Sequence, residues 1–263
     1  MEPVAGARTF AVSGDAYDKF MGRYSKPLAS QFADFAGVTE GEQALDVGCG
    51  PGALTGELVR RLGFEHVAAC DPSEPFVVAC AERNPGVDVR PGSAERVPFD
   101  DASFDVALSQ LVLHFVSDPA AAGIEMGRVV RPGGRVASCV WNFEQEMQML
   151  RAFWDAALTL DPEAPAEQRV MRFGRTGELS QWLGEAGMVD VAETALTVTS
   201  TYGGFEELWN GFLAGIGPAG SYCMGLPPEH REALRSVMFD GLGKPAGSIT
   251  LSAGALAARG TRH

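Results

Sequence analysis

The run Ala44-Leu45-Asp46-Val47-Gly48-Cys49-Gly50-Pro51-Gly52-Ala53 constrains this chain more than any other stretch. A short apolar segment reaches Val47, and a glycine-rich turn follows at once. Leu54, Leu58, Val59 and Leu62 then recur on one helical stripe. The order is strand, tight turn, helix. Glycines are needed because a Cβ would block close approach of a ligand to the turn backbone. The helix start offers unpaired N–H groups to an anionic group.

The spacing Gly48-x-Gly50-x-x-Ala53 satisfies the dinucleotide-binding fingerprint, so the turn alone does not name a ligand. Two details bear on the choice. Asp46 stands two residues before the first glycine, and a carboxylate there suits a cationic ligand better than a pyrophosphate. Gly52 adds a third small residue to a very tight turn. Together, Asp46-Val47-Gly48-Cys49-Gly50-Pro51-Gly52 closely resembles the first motif of class I S-adenosylmethionine (SAM) dependent methyltransferases.

At 263 residues the chain can bury a full core. Its formal net charge of −13 argues against nucleic acid as a partner, since phosphate contacts need a basic surface. The same charge argues against an anionic membrane surface. No apolar run is long enough to insert into a membrane, and the first residues lack a charged-then-apolar export pattern. Cys49, Cys70, Cys80, Cys139 and Cys223 are odd in number and show no metal-binding spacing. Reduced thiols and a cytoplasmic location are expected.

Residues 1–14 read as a flexible tail. Asp15 can cap a helix through Tyr17, Phe20 and Met21, interrupted at Gly22–Pro27 before a second helix carrying Leu28, Phe32 and Phe35. Phe20 reads as core. Tyr17-Asp18-Lys19-Phe20-Met21-Gly22-Arg23 resembles the opening segment of many small-molecule methyltransferases, and the resemblance implies that Tyr17 and Arg23 fold over the cofactor. His66–Asp71 reads as a second buried strand, with Asp71 about 20 residues past the glycine turn, where a carboxylate accepts from both ribose hydroxyls. That role is common to nicotinamide and SAM proteins. Ser73 can cap the next helix, and the resemblance puts Pro72 and Ser73 beside the adenine.

After a third strand at Val87–Arg90, Gly92-Ser93-Ala94-Glu95-Arg96-Val97-Pro98-Phe99 resembles the family's adenine-reading loop. Many relatives carry an aspartate where this chain has Ser93. A serine hydroxyl accepts without a charge, Glu95 is a possible substitute, and an Ala94 backbone contact is unaffected. Asp100 and Asp101 read as a solvated turn and not a metal site, because no third ligand is spaced nearby. Val106–Ser109 is the fourth strand. Ser109, Gln110 and Leu111 fall at its carboxyl end, the edge that lines ligand crevices in doubly wound sheets. His114 follows on the same edge and is the candidate general base, with a wall of the pocket as the plainer alternative. Arg131-Pro132-Gly133-Gly134 is a tight turn before a fifth strand, Arg135–Trp141, another point of resemblance.

From about residue 145 helical periodicity takes over, with Met147, Leu150, Phe153, Trp154 and Leu158 on one face. Leu179–Ala186 is a helix, Val189–Tyr202 a strand, 205 to about 242 a helical insertion, and Ser248 onward a last strand. The alternation implies a parallel sheet covered on both faces. The resemblance, closest to the ubiquinone/menaquinone-biosynthesis-like (Methyltransferase type 11) group, implies a Rossmann-like, doubly wound α/β fold. It would have seven strands, mostly parallel with an antiparallel C-terminal strand. A lid and SAM-binding core would span 15–145. Residues 146–263 would complete the same domain, with acceptor-site insertions at about 146–175 and 205–242. The implied reaction is SN2 methyl transfer from SAM to an O, N or C nucleophile of a small-molecule acceptor, leaving S-adenosylhomocysteine (SAH). The alternatives are an NAD(P)-dependent oxidoreductase and a non-catalytic SAM-binding protein.

Overall fold

The computed structural model describes residues 18–143 and 146–263. Seven strands form one sheet: β1 (Ala44–Val47), β2 (Val67–Asp71), β3 (Asp88–Pro91), β4 (Phe104–Gln110), β5 (Val130–Trp141), β6 (Met188–Tyr202) and β7 (Ile249–Arg262). Their order is β3-β2-β1-β4-β5-β7-β6. β1 to β5 pair in parallel, and β7 runs antiparallel to both neighbours. The fold is thus the Rossmann-like α/β arrangement expected. β1 and β2 are buried throughout, as central parallel strands covered on both faces must be. The edge strand β6 is mostly exposed and carries Asp190 and Glu193, charges that discourage further strand pairing.

Alternation along the strands divides the core. Ala44, Val106, Leu108, Ala137 and Cys139 face one layer with α1 (Arg23–Ala36), α2 (Ala53–Leu62) and, beyond α3 (Glu74–Arg83) and α4 (Pro119–Val129), α5 (Gln148–Leu160). Leu45, Val47, Ala107, Val136 and Val140 face the other layer with α4 and, after the short α6 (Glu167–Val170), α7 (Glu178–Glu185). The insertion before β7 forms α8 (Phe205–Leu213), α9 (Gly217–Gly225) and α10 (Pro228–Gly241). It is fastened by aromatic rings. Phe212 stacks on Phe153 at 4.5 Å, Phe20 meets Phe212 edge-on at 5.4 Å, and Tyr222 leans on Trp154 at 5.4 Å. No helix among the described residues is long and apolar enough to cross a membrane.

Three local expectations need correction. The helix expected to break at Gly22–Pro27 runs on: a π-helical turn, Asp18–Gly22, leads straight into α1, with Pro27 inside it. Pro27 is the fifth residue of α1, so the helix continues without the N–H bond that this position would return to the Arg23 carbonyl. Ser73 occupies the N-cap of α3 but its side chain makes no cap bond; its carbonyl accepts from Phe76 and Val77 instead. Arg131–Gly134 is an outward bulge within β5, since pairing with β4 passes from Phe104↔Val130 to Val106↔Arg135. Residues 1–17, with the tail and the Tyr17 expectation, lie outside the described residues.

Candidate functional site

Gly48, Gly50 and Gly52 all take positive φ, +78°, +52° and +93°. Their surroundings differ. A Cβ on Gly48 would stand 2.4 Å from Val112 Cγ2, and one on Gly52 would stand 2.5 Å from Asn84 Nδ2. A Cβ on Gly50 would meet nothing within 4 Å. Two glycines therefore serve packing, and the middle one borders open space at the carboxyl edge of β1. The amides of the turn are used internally. Gly48 and Cys49 N–H donate to the Cys70 carbonyl at 2.8 and 3.0 Å, and Gly52 N–H donates to the Cys49 carbonyl at 3.0 Å. Gly50 N–H donates to Asp71 Oδ2 at 2.9 Å. The turn thus does not present these donors to an anion, which counts against a pyrophosphate and with it the nicotinamide alternative.

What the turn presents instead is negative charge. Asp71, buried at the end of β2, also accepts Ser73 N–H on Oδ1 at 2.8 Å. Burial pushes its carboxyl up to about 6, opposed by the two amide bonds. A carboxylate has about four lone-pair sites, so two remain for ribose hydroxyls. Asp46, buried in β1, takes Thr55 Oγ1–H on Oδ2 at 2.6 Å, while its Oδ1 has no partner. Burial raises it to about 7, against the Thr55 bond and helped by the nearby Asp71 charge. Like Asp46 Oδ1, the buried Ser25 Oγ, Ser109 Oγ and Gln110 Oε1 have no partner among the described residues. Gln110 Nε2 donates to the Ser25 carbonyl at 3.0 Å, which ties α1 to the end of β4. Buried polar atoms are normally paired, and this set is matched to a ligand bringing its own donors and a positive charge.

The remaining expected cofactor residues divide. Ala94 is buried, Ser93 is half-buried and Pro72 exposed. Glu95 Oε1 accepts Ser117 N–H at 3.0 Å and Asp118 N–H at 3.4 Å, so this oxygen braces the turn before α4. Asp101 pairs with Arg128 at 2.6 Å. Arg23 turns to the insertion, pairing with Glu207 and stacking on the Tyr202 ring at 4.0 Å. Its Nε and Nη1 have no partner among the described residues.

A family model described as a methyltransferase domain matches residues 45–138, the segment that holds the glycine turn, Asp71 and Gln110. Over these residues the chain is similar to a methyltransferase domain. A malonyl-[acyl-carrier protein] O-methyltransferase of Erwinia billingiae is 31% identical over 162 residues, 62% of this chain and 62% of the relative. A phthiotriol/phenolphthiotriol dimycocerosates methyltransferase of Mycobacterium tuberculosis is 34% identical over 131 residues, 49% of this chain and 47% of the relative. The chain thus spans about half to 62% of the length of these relatives. Among solved structures, a candidate methyltransferase of Bacillus halodurans superimposes with a TM-score of 0.57 at 15% identity, covering 89% of this chain and 98% of that one. Geranyl diphosphate C-methyltransferase of Streptomyces coelicolor A3(2) gives 0.52 at 15% identity, covering 92% and 80%. Both share the fold.

Within this matched segment Leu111 takes φ +65°, a strained conformation for a branched side chain, held by its N–H bond to the Cys139 carbonyl at 2.8 Å. Leu111 borders a cavity of about 30 Å³ whose walls include Phe20, Phe115, Trp141, Phe143 and Ile216. His114 is not in that lining. Its Nδ1 meets the Arg172 carbonyl at 2.6 Å and its Nε2 the Trp141 carbonyl at 3.2 Å. Burial lowers its pKa to about 4 against both contacts. Both ring nitrogens face backbone carbonyls, one of which accepts the N–H of the neutral ring, so neither nitrogen is turned to an acceptor in the cavity. The general-base expectation for His114 is therefore corrected: it backs the cavity wall, 4.7 Å from the Phe143 ring, and anchors the segment that follows α6. The polar side chain that does reach the cavity is Glu167, which the sequence did not single out. It follows a Pro-rich break with no motif around it, and no local pattern marks it.

Proposed function

We propose that the chain binds SAM at the carboxyl edge of β1, β2 and β4 and methylates a small-molecule acceptor held under the insertion. The observation that carries this reading is the open space over Gly50, flanked by two buried carboxyls, Asp46 and Asp71, that no cation among the described residues neutralises. SAM supplies an electrophilic methyl group on a sulfonium that loses its charge on transfer.

Asp71 would hold the ribose diol with its two remaining acceptor sites. Asp46 Oδ1 and Gln110 Oε1 would accept from the ammonium of the methionine part, with Ser109 beside them. Gly48, Cys49, Gly50 and Gly52 would shape the floor, and Pro72, Ser73, Ser93 and Ala94 the adenine end. Leu111 would divide the cofactor space from the acceptor cavity. The protein's contribution is then alignment and exclusion of water, for which an apolar, aromatic cavity is suited. The insertions at about 146–175 and 205–242 provide Leu150, Glu167 and Ile216 to that cavity, in keeping with an acceptor site there. The acceptor atom, O, N or C, is a matter for assay. The five cysteines are free and buried, which suits a reducing compartment, and the cytoplasm is the proposed location.

Calorimetry with SAM, SAH and NAD tests the cofactor. Binding of SAM and SAH with no heat from NAD is expected. Binding of NAD alone would reverse the reading. Methyl transfer across an acceptor library then separates an enzyme from a protein that only binds SAM.

A further inference from the structure

Asp46 is the third residue of β1, between Leu45 and Val47, which face the layer of α4 and α7. Alternation turns Asp46 the other way, with Ala44, toward the layer of α1 and α2. There it meets Thr55, the third residue of α2, which is fully buried. Thr55 Oγ1–H donates to Asp46 Oδ2 at 2.6 Å. A hydroxyl has one proton, and a contact of that length with a carboxyl takes it. The Cys80 S–H of α3, 3.5 Å from Thr55 Oγ1, fills an acceptor position on the same oxygen. The Thr55 hydroxyl is thereby aimed in one direction. With Oδ2 fixed, Asp46 Oδ1 is left without a partner among the described residues. Leu108 pairs with Asp46 across the sheet, so Gln110 follows two residues on along the same face, and its Oε1 also lacks a partner among the described residues.

We propose that Thr55 is a positioning residue for the cofactor: its hydroxyl holds the Asp46 carboxylate charged and turned so that Oδ1 meets the ammonium at the amino-acid end of SAM or SAH. This rests on the SAM-binding reading above. Thr55 is buried behind Asp46 and acts only through it.

Orientation and charge work together. Burial raises the Asp46 carboxyl to about 7, against the Thr55 bond and helped by the Asp71 charge. Without the Thr55 hydroxyl the carboxyl should rise further, and its charged form, the one that attracts an ammonium, becomes scarcer at neutral pH. The titratable groups around Asp46 are Asp71 and Cys70 on β2, Cys49 in the turn, Cys80 on α3 and Cys139 on β5. No cation is among the causes of its shift. The thiols of Cys49, Cys70 and Cys139 are pushed up and stay protonated near neutrality, while that of Cys80 is lowered, chiefly by Cys49. Asp71 and Cys80 are therefore the background against which Asp46 is read, and variants at Thr55 all retain them.

The test is calorimetry on the full chain with two ligands. SAH carries the ammonium; 5′-methylthioadenosine has the same adenosine thioether without the amino-acid end. Thr55→Val keeps the shape of the side chain and removes its hydroxyl, and Thr55→Ser keeps the hydroxyl. Thr55→Val should bind SAH about ten-fold more weakly at pH 7, the order of one hydrogen bond to a charged group, with methylthioadenosine unchanged. Thr55→Ser should restore SAH binding. SAH affinity should rise with pH as Asp46 loses its proton and then level off, and the levelling point should move up in Thr55→Val but not in Thr55→Ser. If wild type holds SAH but no methylthioadenosine, that displacement decides alone. No SAH binding by wild type would overturn the cofactor reading itself. If wild type binds SAH and Thr55→Val binds it equally well, or loses both ligands alike, Thr55 is a strut between β1 and α2 and the proposal fails. Where valine prevents folding, Thr55→Ala takes its place in the comparison, and failure of that variant to fold also assigns Thr55 to the strut.

Discussion

Gly48 and Gly50 make a paired experiment, because both take positive φ and only one has a neighbour. Placing an alanine at such a φ costs about 1–2 kcal/mol by itself. At Gly50 nothing further is added in the free protein, since the new methyl meets open space. At Gly48 the methyl lies 2.4 Å from Val112 Cγ2, and overpacking of that kind adds about 1–3 kcal/mol. Gly48→Ala should therefore lose about 2–5 kcal/mol and Gly50→Ala about 1–2 kcal/mol. At about 2–4 °C per kcal/mol for a chain near this size, Tm should fall by roughly 4–20 °C and 2–8 °C. Binding should rank the other way. The Gly50→Ala methyl stands where the ligand must come, and the same overpacking energy corresponds to a loss of about 5- to 150-fold in SAM affinity. Thermal melts and SAM calorimetry on the two variants decide it. Wild-type SAM affinity in Gly50→Ala would mean that the space over Gly50 is not the cofactor's, and equal melting of the two variants would mean that Val112 yields.

Asp71→Ala removes a charged acceptor and should weaken SAM by about 10- to 150-fold in calorimetry; it also strands the Gly50 and Ser73 amides, so Tm should fall as well. His114→Ala should lower Tm by breaking its carbonyl contacts yet leave SAM affinity within about threefold, well under one hydrogen bond to a charged group; an unchanged Tm would contradict the anchoring role. The cofactor-free protein should be more stable near pH 5 than near pH 7. Asp46, Asp71 and Glu167 have folded pKa values of about 7, 6 and 7, above the ordinary values near 4, so the folded chain binds more protons there, and stability present below pH 4 is lost as pH rises towards 7. Relief of the −13 net charge acts in the same direction, so the check is the slope of Tm with pH in Asp46→Asn and Glu167→Gln, which should be shallower than wild type; an equal slope would assign the effect to net charge alone.

The parts of the fold that were legible are those fixed by neighbours along the chain. β1, β2 and β4 are short buried runs whose period and bounding glycines show locally, and Asp71 follows from its distance to the turn. The bulge at Arg131–Gly134 and the unbroken entry into α1 were not legible, because each depends on what the backbone pairs with after folding. The contacts of Glu95 were not legible for the same reason. Its partners, Ser117 and Asp118, lie more than 20 residues away and are brought to it only by the β4–α4 connection.

The reversal between His114 and Glu167 has one cause. A sequence reading favours histidine as a base because its ordinary pKa lies near neutrality, and discounts glutamate because its own lies near 4. Burial penalises whichever form carries charge. For imidazole that is the protonated form, so enclosure between the Arg172 and Trp141 carbonyls drives it down to about 4. For a carboxyl it is the deprotonated form, so the same aromatic surroundings lift Glu167 to about 7. His114 packs on Phe143, and Phe143 and Glu167 line one cavity, so burial acts on the two groups in opposite directions. Of the two, Glu167 is the one that lines the cavity. Its position there depends on α6, Leu111 at the end of β4 and Ile216 at the start of α9, three segments that only the sheet order brings to one edge.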